Sequence, residues 1–127
     1  MNKYNILISS AGRRVSLVRL FIKALKEQNI NGLVHAIDID SNAPALYAAD
    51  KFQIVSKIKD PGYINQLLKI CVENEINLIV PTIDTELHLL SKNVSLFNKK
   101  GIQLLVCNED VNKICNDNKI YDKIRKT

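Results

Sequence analysis

Short, unbroken apolar runs alternate along this chain with longer stretches whose apolar residues recur every three or four positions. Tyr4 to Ile8 or Ser9 is the first run and predicts a buried strand. Val15, Leu17, Val18, Phe21, Ile22 and Leu25 then fall on one helical face, closed by Asn29 and the Asn31-Gly32 pair. Leu33 to Ile37 predicts a second strand, ending in Asp38-Ile39-Asp40. Ser41 to Asp50 reads as a loop with one short helix opening near Pro44, a residue suited to a first turn. Phe52 to Val55 predicts a third strand near a sheet edge. Asp60-Pro61-Gly62 is turn chemistry leading into a helix over Tyr63 to Val72, with Ile64, Leu67, Leu68 and Cys71 facing inward. Asn77 to Pro81 is apolar throughout its centre, as a central parallel strand is. A helix follows from Asp84 to Phe97 with Leu87, Leu90, Val94 and Phe97 inward, then Gly101, a fifth strand over Ile102 to Val106, and a helix start at Asn108-Glu109-Asp110. Strands alternating with helices across short connections predict an α/β fold: a doubly wound parallel sheet of about five strands with helices on both faces.

The 127 residues are enough for one domain with a real core, and 46% apolar with 24% charged residues argues against disorder. No apolar run approaches the roughly 18 residues a bilayer span requires, and the first residues lack the order of a secretory signal, so the cytoplasm is the expected compartment. Cys71, Cys107 and Cys115 are odd in number and lie at no metal-ligand spacing, which predicts free, reduced thiols. Of the net charge of +5, the stretch from Lys113 onward carries +3 through Lys113, Lys119, Lys123, Arg125 and Lys126 against Asp117 and Asp122. That is a solvated basic segment rather than a nucleic-acid stripe, because no interleaved aromatic residues accompany it.

The candidate chemistry gathers at strand ends. Ser9-Ser10-Ala11-Gly12-Arg13-Arg14 joins the first strand to the first helix, where open α/β sheets bind ligands. Gly12 permits close backbone approach, the serines can cap the helix or donate to an anion, and Arg13 and Arg14 favour a negative group. The alternative is a capped helix start with both arginines solvated or paired to carboxylates. Neither the glycine-rich dinucleotide fingerprint nor a phosphate-cradling loop is present. Asp38 and Asp40 close the second strand and either hold a ligand hydroxyl, or cap their own loop or pair with Arg13 or Arg14. Thr82, Asp84 and Glu86 follow the central strand. Glu86 either holds a substrate ammonium or hydroxyl, or orients an arginine, or the group is simply favourable helix-start chemistry. His35 and His88 have no partner at catalytic spacing.

Taken together, ILISSAGRRVSL, AIDIDSNAPALYAADKF, INLIVPTIDTELHLLS and the GIQLLV strand resemble the N-terminal domain of carbamoyl-phosphate-synthase-like ATP-grasp proteins, over about Ile6 to Lys123. The resemblance implies a Rossmann-like pre-ATP-grasp domain over residues 1–116, with 117–127 starting a helix or linker toward an absent ATP-grasp core. Asn118 stands where relatives have an aspartate in that helix. It further implies ATP-dependent activation of a carboxylate as an acyl phosphate, followed by attack of an amine. ATP and magnesium would be held by the following subdomains and not by this chain. Ser10, Gly12, Arg13, Arg14, Asp38, Asp40, Asp84 and Glu86 would face the cleft and bind a small anionic or amino-acid-like substrate.

The expected partners are therefore an ATP-grasp core, in cis or as a separate chain, and a second copy meeting the apolar face of Ile114, Ile120, Tyr121 and Ile124. Neither nucleic acid nor a membrane is expected. A standalone module for a small anion or nucleotide is the alternative function. A nicotinamide-dependent oxidoreductase is disfavoured by the missing glycine fingerprint.

Overall fold

A computed structural model of the protein describes residues 3–105. Five parallel strands form one sheet in the order β3-β2-β1-β4-β5: β1 Asn5–Ser9, β2 Val34–Asp38, β3 Lys51–Ile54, β4 Ile76–Pro81 and β5 Gln103–Leu104. The helices are α1 Val15–Glu27, α2 Pro44–Ala48, α3 Tyr63–Glu73, α4 Asp84–Ser91 and α5 Val94–Asn98.

The strand alternation divides the core into two layers. Ile6, Ile8, Val34, Ala36, Leu78 and Val80 pack against Leu17, Val18, Phe21 and Leu25 of α1 and Ala45 and Leu46 of α2. Leu7, Ile37 and Ile79 point the other way, onto Tyr63, Leu67 and Cys71 of α3, Leu90 of α4 and Phe97 of α5. β1 is buried along its whole length, as a strand covered on both faces must be. Chain order runs outward from β1 to β3 with α1 and α2 on one face, then returns through α3 to β4 on the other side of β1. The winding therefore reverses between β1 and β4, and the carboxyl ends of those strands open the crevice where such sheets take ligands.

The expected doubly wound sheet is present, with helices on both faces. Two expected elements differ in extent. The single helix over Asp84 to Phe97 is broken into α4 and α5, because Asn93 Nδ2 takes the Leu89 carbonyl at 2.9 Å and Ser91 Oγ takes that of His88 at 2.8 Å. Side chains here occupy carbonyls near the end of α4, a competition characteristic of Ser and Asn. β5 is two residues long rather than five, whereas β3 lies at the opposite edge, as expected, and is exposed along its whole length. The expected helix start at Asn108 and the segment 117–127 lie outside the described residues, as do Cys107 and Cys115. Cys71 is a free, buried thiol, pushed up to about 12 by burial.

Candidate functional site

The site is built at the turn between β1 and α1. Ser10 and Gly12 both take positive φ, 51° and 50°, so the backbone leaves β1 through two left-handed residues. Neighbouring elements fix this conformation. Ala11 N–H donates to the Ile37 carbonyl at 3.0 Å, tying the turn to β2, and Ala45 N–H donates to the Gly12 carbonyl at 3.0 Å, tying it to α2. From the other side, Thr82 Oγ1 donates to the Ser10 carbonyl at 2.6 Å and the Ser9 carbonyl at 3.1 Å. The serines do not cap α1, and Thr82 does not cap α4. Arg14 is the N-cap of α1 and Ile83 that of α4, neither with a side-chain cap bond.

Beneath the turn sits Glu86, from the first turn of α4, with no exposed surface. Its Oε1 accepts from Ser9 Oγ at 2.6 Å and Ser10 Oγ at 3.0 Å, and its Oε2 accepts from the Tyr63 hydroxyl. Burial pushes the Glu86 carboxyl above the usual range. The three hydroxyl donors pull it back, and the nearby Asp38 charge adds to the rise. Burial also raises Tyr63, reinforced by the Glu86 charge beside it. One buried carboxylate thus ties together β1, α3 and α4 at the point where the winding reverses.

Asp38 holds the other side. Its Oδ1 accepts from Gly12 N–H at 3.2 Å and its Oδ2 from Asp40 N–H at 3.1 Å, while Asp40 Oδ1 accepts from Asn42 N–H at 2.9 Å. Two clefts flank the turn. One, of about 300 Å³, lies between Ser10, Asp38, Val55, Ile58, Tyr63 and Ile83. The other is an open groove of about 590 Å³ along Gly12, Arg13, Asp38, Asp40, Asn42 and Pro44.

Of the residues expected to share a cleft, Ser10, Gly12, Arg13, Asp38 and Asp40 do line these two. Arg14 is exposed and reaches the Thr82 carbonyl at 3.5 Å, and Asp84 is exposed at the start of α4, lining neither cleft. Glu86 departs from expectation: it lies under the cleft wall, not in the cleft, and contacts the hydroxyls of Ser9, Ser10 and Tyr63 rather than an arginine. Pairing of the arginines with Asp38 or Asp40 is replaced by backbone N–H groups on both carboxylates. The sequence pattern marks Tyr63 only as the start of a helix. A tyrosine on an inward face needs a partner for its hydroxyl, and that was the available signal. Among the described residues no group of three or more His, Cys, Asp or Glu side chains could hold a metal ion, and no helix is long and apolar enough to cross a membrane.

Comparison with known proteins agrees with this architecture. The chain is similar in fold to the biotin carboxylase domain of a thermophilic 2-oxoglutarate carboxylase, at 24% identity and a TM-score of 0.54, over 79% of this chain and 22% of that one. Pyruvate carboxylase from Rhizobium etli gives 16% identity and a TM-score of 0.52, over 81% of this chain and 11% of that one. For an N5-carboxyaminoimidazole ribonucleotide synthetase the values are 18% and 0.50, over 82% of this chain and 24% of that one. The chain thus spans less than a quarter of each of these structures. Comparison with curated protein sequences gives no match. Residues 6–105, which include every strand and helix above, match the family described as PylC-like, N-terminal domain. The chain belongs to that family and is a pre-ATP-grasp N-terminal domain.

Proposed function

We propose that this chain is the N-terminal domain of an ATP-dependent ligase that joins a carboxylate to an amine, and that the β1–α1 turn forms one wall of its substrate cleft. The supporting observation is the turn itself: two left-handed residues, fixed by β2, α2 and β4 and backed by a buried carboxylate, between two clefts at the switch point of the sheet. A cluster so constrained presents Ser10, Gly12, Arg13, Asp38 and Asp40 in one geometry, which lowers the cost of ordering on binding. ATP and magnesium belong to an ATP-grasp core, in cis or on a separate chain, and the carboxylate is activated there. Arg13 and Arg14 supply positive charge for an anionic substrate group.

The test is assembly with the ATP-grasp core encoded downstream or by a neighbouring gene, measuring substrate-dependent formation of ADP. Arg13→Ala with Arg14→Ala should raise KM for the substrate about tenfold while leaving KM for ATP unchanged, since only the substrate would meet those charges. Tight Mg-ATP binding by this chain alone, or an assembly indifferent to its presence, would defeat the proposal. A second reading, a standalone module for a small anion or nucleotide, draws on Arg13 and Arg14 being exposed without an ion pair among the described residues. In that case phosphate or a nucleotide should raise the melting temperature of the isolated chain by a few degrees.

A further inference from the structure

The direction of the hydrogen bonds around Glu86 determines what the smaller cleft can hold. A carboxylate has no proton to give, so Ser9, Ser10 and Tyr63 must each donate their single hydroxyl proton to it. What remains on each hydroxyl is acceptor capacity alone. Ser9 is sealed off, but Ser10 is only half-buried and lines the 300 Å³ cleft beside Asp38. Asp38 uses one site on each oxygen for the amides of Gly12 and Asp40, and each oxygen has further capacity to accept. Among the described residues, Ser10, Asp38 and Tyr63 therefore offer this cleft acceptors and no side-chain donor, and the donors of its lining are Ser56 and Lys57.

Charge points the same way. Neither Asp38 nor Glu86 has a cationic partner among the described residues, and their mutual repulsion contributes to the raised Glu86. The remaining wall is mostly apolar, with Val55, Ile58 and Ile83, so the carboxylates are poorly screened there. A donor-rich cation of small size fits these conditions, whereas an anion would meet lone pairs and two negative charges. Lys57, exposed at the rim, is the one cation in the lining.

We propose that this cleft binds a protonated primary amine, its ammonium donating to the Asp38 carboxylate and to Ser10 Oγ, with the alkyl chain lying along Ile58 and Ile83. The assignment reverses the polarity expected of the turn: the cleft beside Ser10 takes the amine, and the anion preference of Arg13 is confined to the open groove on the other side. It rests on the reading of this loop cluster as a substrate cleft and narrows that reading to the nucleophile.

The probe is n-butylammonium chloride, titrated into the intact chain at constant ionic strength while the backbone amides are followed by nitrogen–proton correlation NMR. The amides of Gly12 and Asp40 donate to Asp38 and report directly on its charge environment. Saturable shifts of both are expected, absent with sodium butyrate. Asp38→Asn should weaken the response about tenfold, since a charged hydrogen bond is lost. Ser10→Ala should weaken it several-fold, and Lys57→Ala, which removes a like charge from the rim, should strengthen it. Shifts produced by butyrate and not by the amine would overturn the proposal, as would silence of both amides with either probe. Failure here together with substrate-dependent ligase activity in the assembled enzyme removes the amine assignment alone. Amine binding by a chain that supports no ligation removes the ligase reading instead.

Discussion

Glu86 concentrates the energetics of the site in one side chain. Burying a carboxylate without a cation is expensive, and here three hydroxyl donors offset that penalty. Glu86→Ala would leave three hydroxyls without an acceptor, two of them fully or almost fully buried. At about 1–3 kcal/mol for each unsatisfied group, partly offset by removing the buried charge, a net loss of about 3 kcal/mol is expected in urea unfolding. Glu86→Gln keeps the volume and one acceptor oxygen while removing the charge, and should lose well under half as much. A loss as large for glutamine as for alanine would mean that the charge, not hydrogen-bond satisfaction, holds the turn. The hydroxyl geometry predicts a further difference. The glutamine NH₂ must donate where one carboxylate oxygen accepted, so either Tyr63 or the Ser9 and Ser10 pair has to turn protons away.

At the scale of elements, the tightest junction is between the start of β2 and the residues leading into β1. A Cβ placed on Gly32 would lie 1.9 Å from the Tyr4 carbonyl oxygen and 2.7 Å from its carbon, both backbone atoms that cannot turn aside. Gly32→Ala must therefore part the chain where Tyr4 N–H donates to the Asn31 carbonyl at 2.8 Å and Lys3 bridges to Asn31. A destabilisation of about 3 kcal/mol or more is expected in thermal or urea unfolding. Alanine at Gly101, where no atom lies within 4 Å but φ is +78°, should cost only the backbone strain of about 1 kcal/mol. The sequence showed Gly32 only as half of a turn pair, since close approach of two segments 28 residues apart leaves no local pattern. The same limit explains what else was legible. Strand and helix order followed from periodicity, because Ile6, Leu7 and Ile8 or Leu67 and Cys71 must be covered. The break between α4 and α5 did not, because Asn93 fits a helix interior or a terminus equally until its amide has a carbonyl to bond. At the site, the strand ends were readable from Gly12, Asp38 and Thr82. The burial of Glu86 was not, because a glutamate in a first helical turn is favourable whether it faces water or Tyr63.

For the whole molecule, two buried titrating groups at opposite ends of the sheet act against each other. Glu86 lies at the carboxyl ends of the strands; its raised value means the folded state holds that proton more tightly than the unfolded chain. Its contribution to stability is therefore lost as pH rises from the ordinary carboxylate range through the raised value. His35, on β2 and lining a cleft at the amino ends with Asn5 and Glu75, is lowered from 6.5 first by burial, then by the Lys51 charge one strand over, against a smaller opposing pull from Asp50. The unfolded chain holds that proton more tightly, so stability is lost as pH falls from about 6.5 toward the lowered value. The slopes of the two groups have opposite sign, so where their windows overlap they flatten each other's pH dependence. Removing either should expose the other. On acidification Glu86→Gln should lose stability more steeply than the parent wherever the parent's Glu86 takes up its proton, by up to about 1.4 kcal/mol per pH unit. His35→Gln should deviate in the opposite direction, gaining relative to the parent as pH falls. The double variant should show neither deviation, since neither group remains to titrate. Chemical unfolding across pH 4.5 to 7.5 measures all four chains, and because every other carboxylate is common to them, differences between curves isolate the two groups. Parallel curves for the single variants would mean that neither group changes its proton affinity on folding, and that solvent reaches both ends of the sheet.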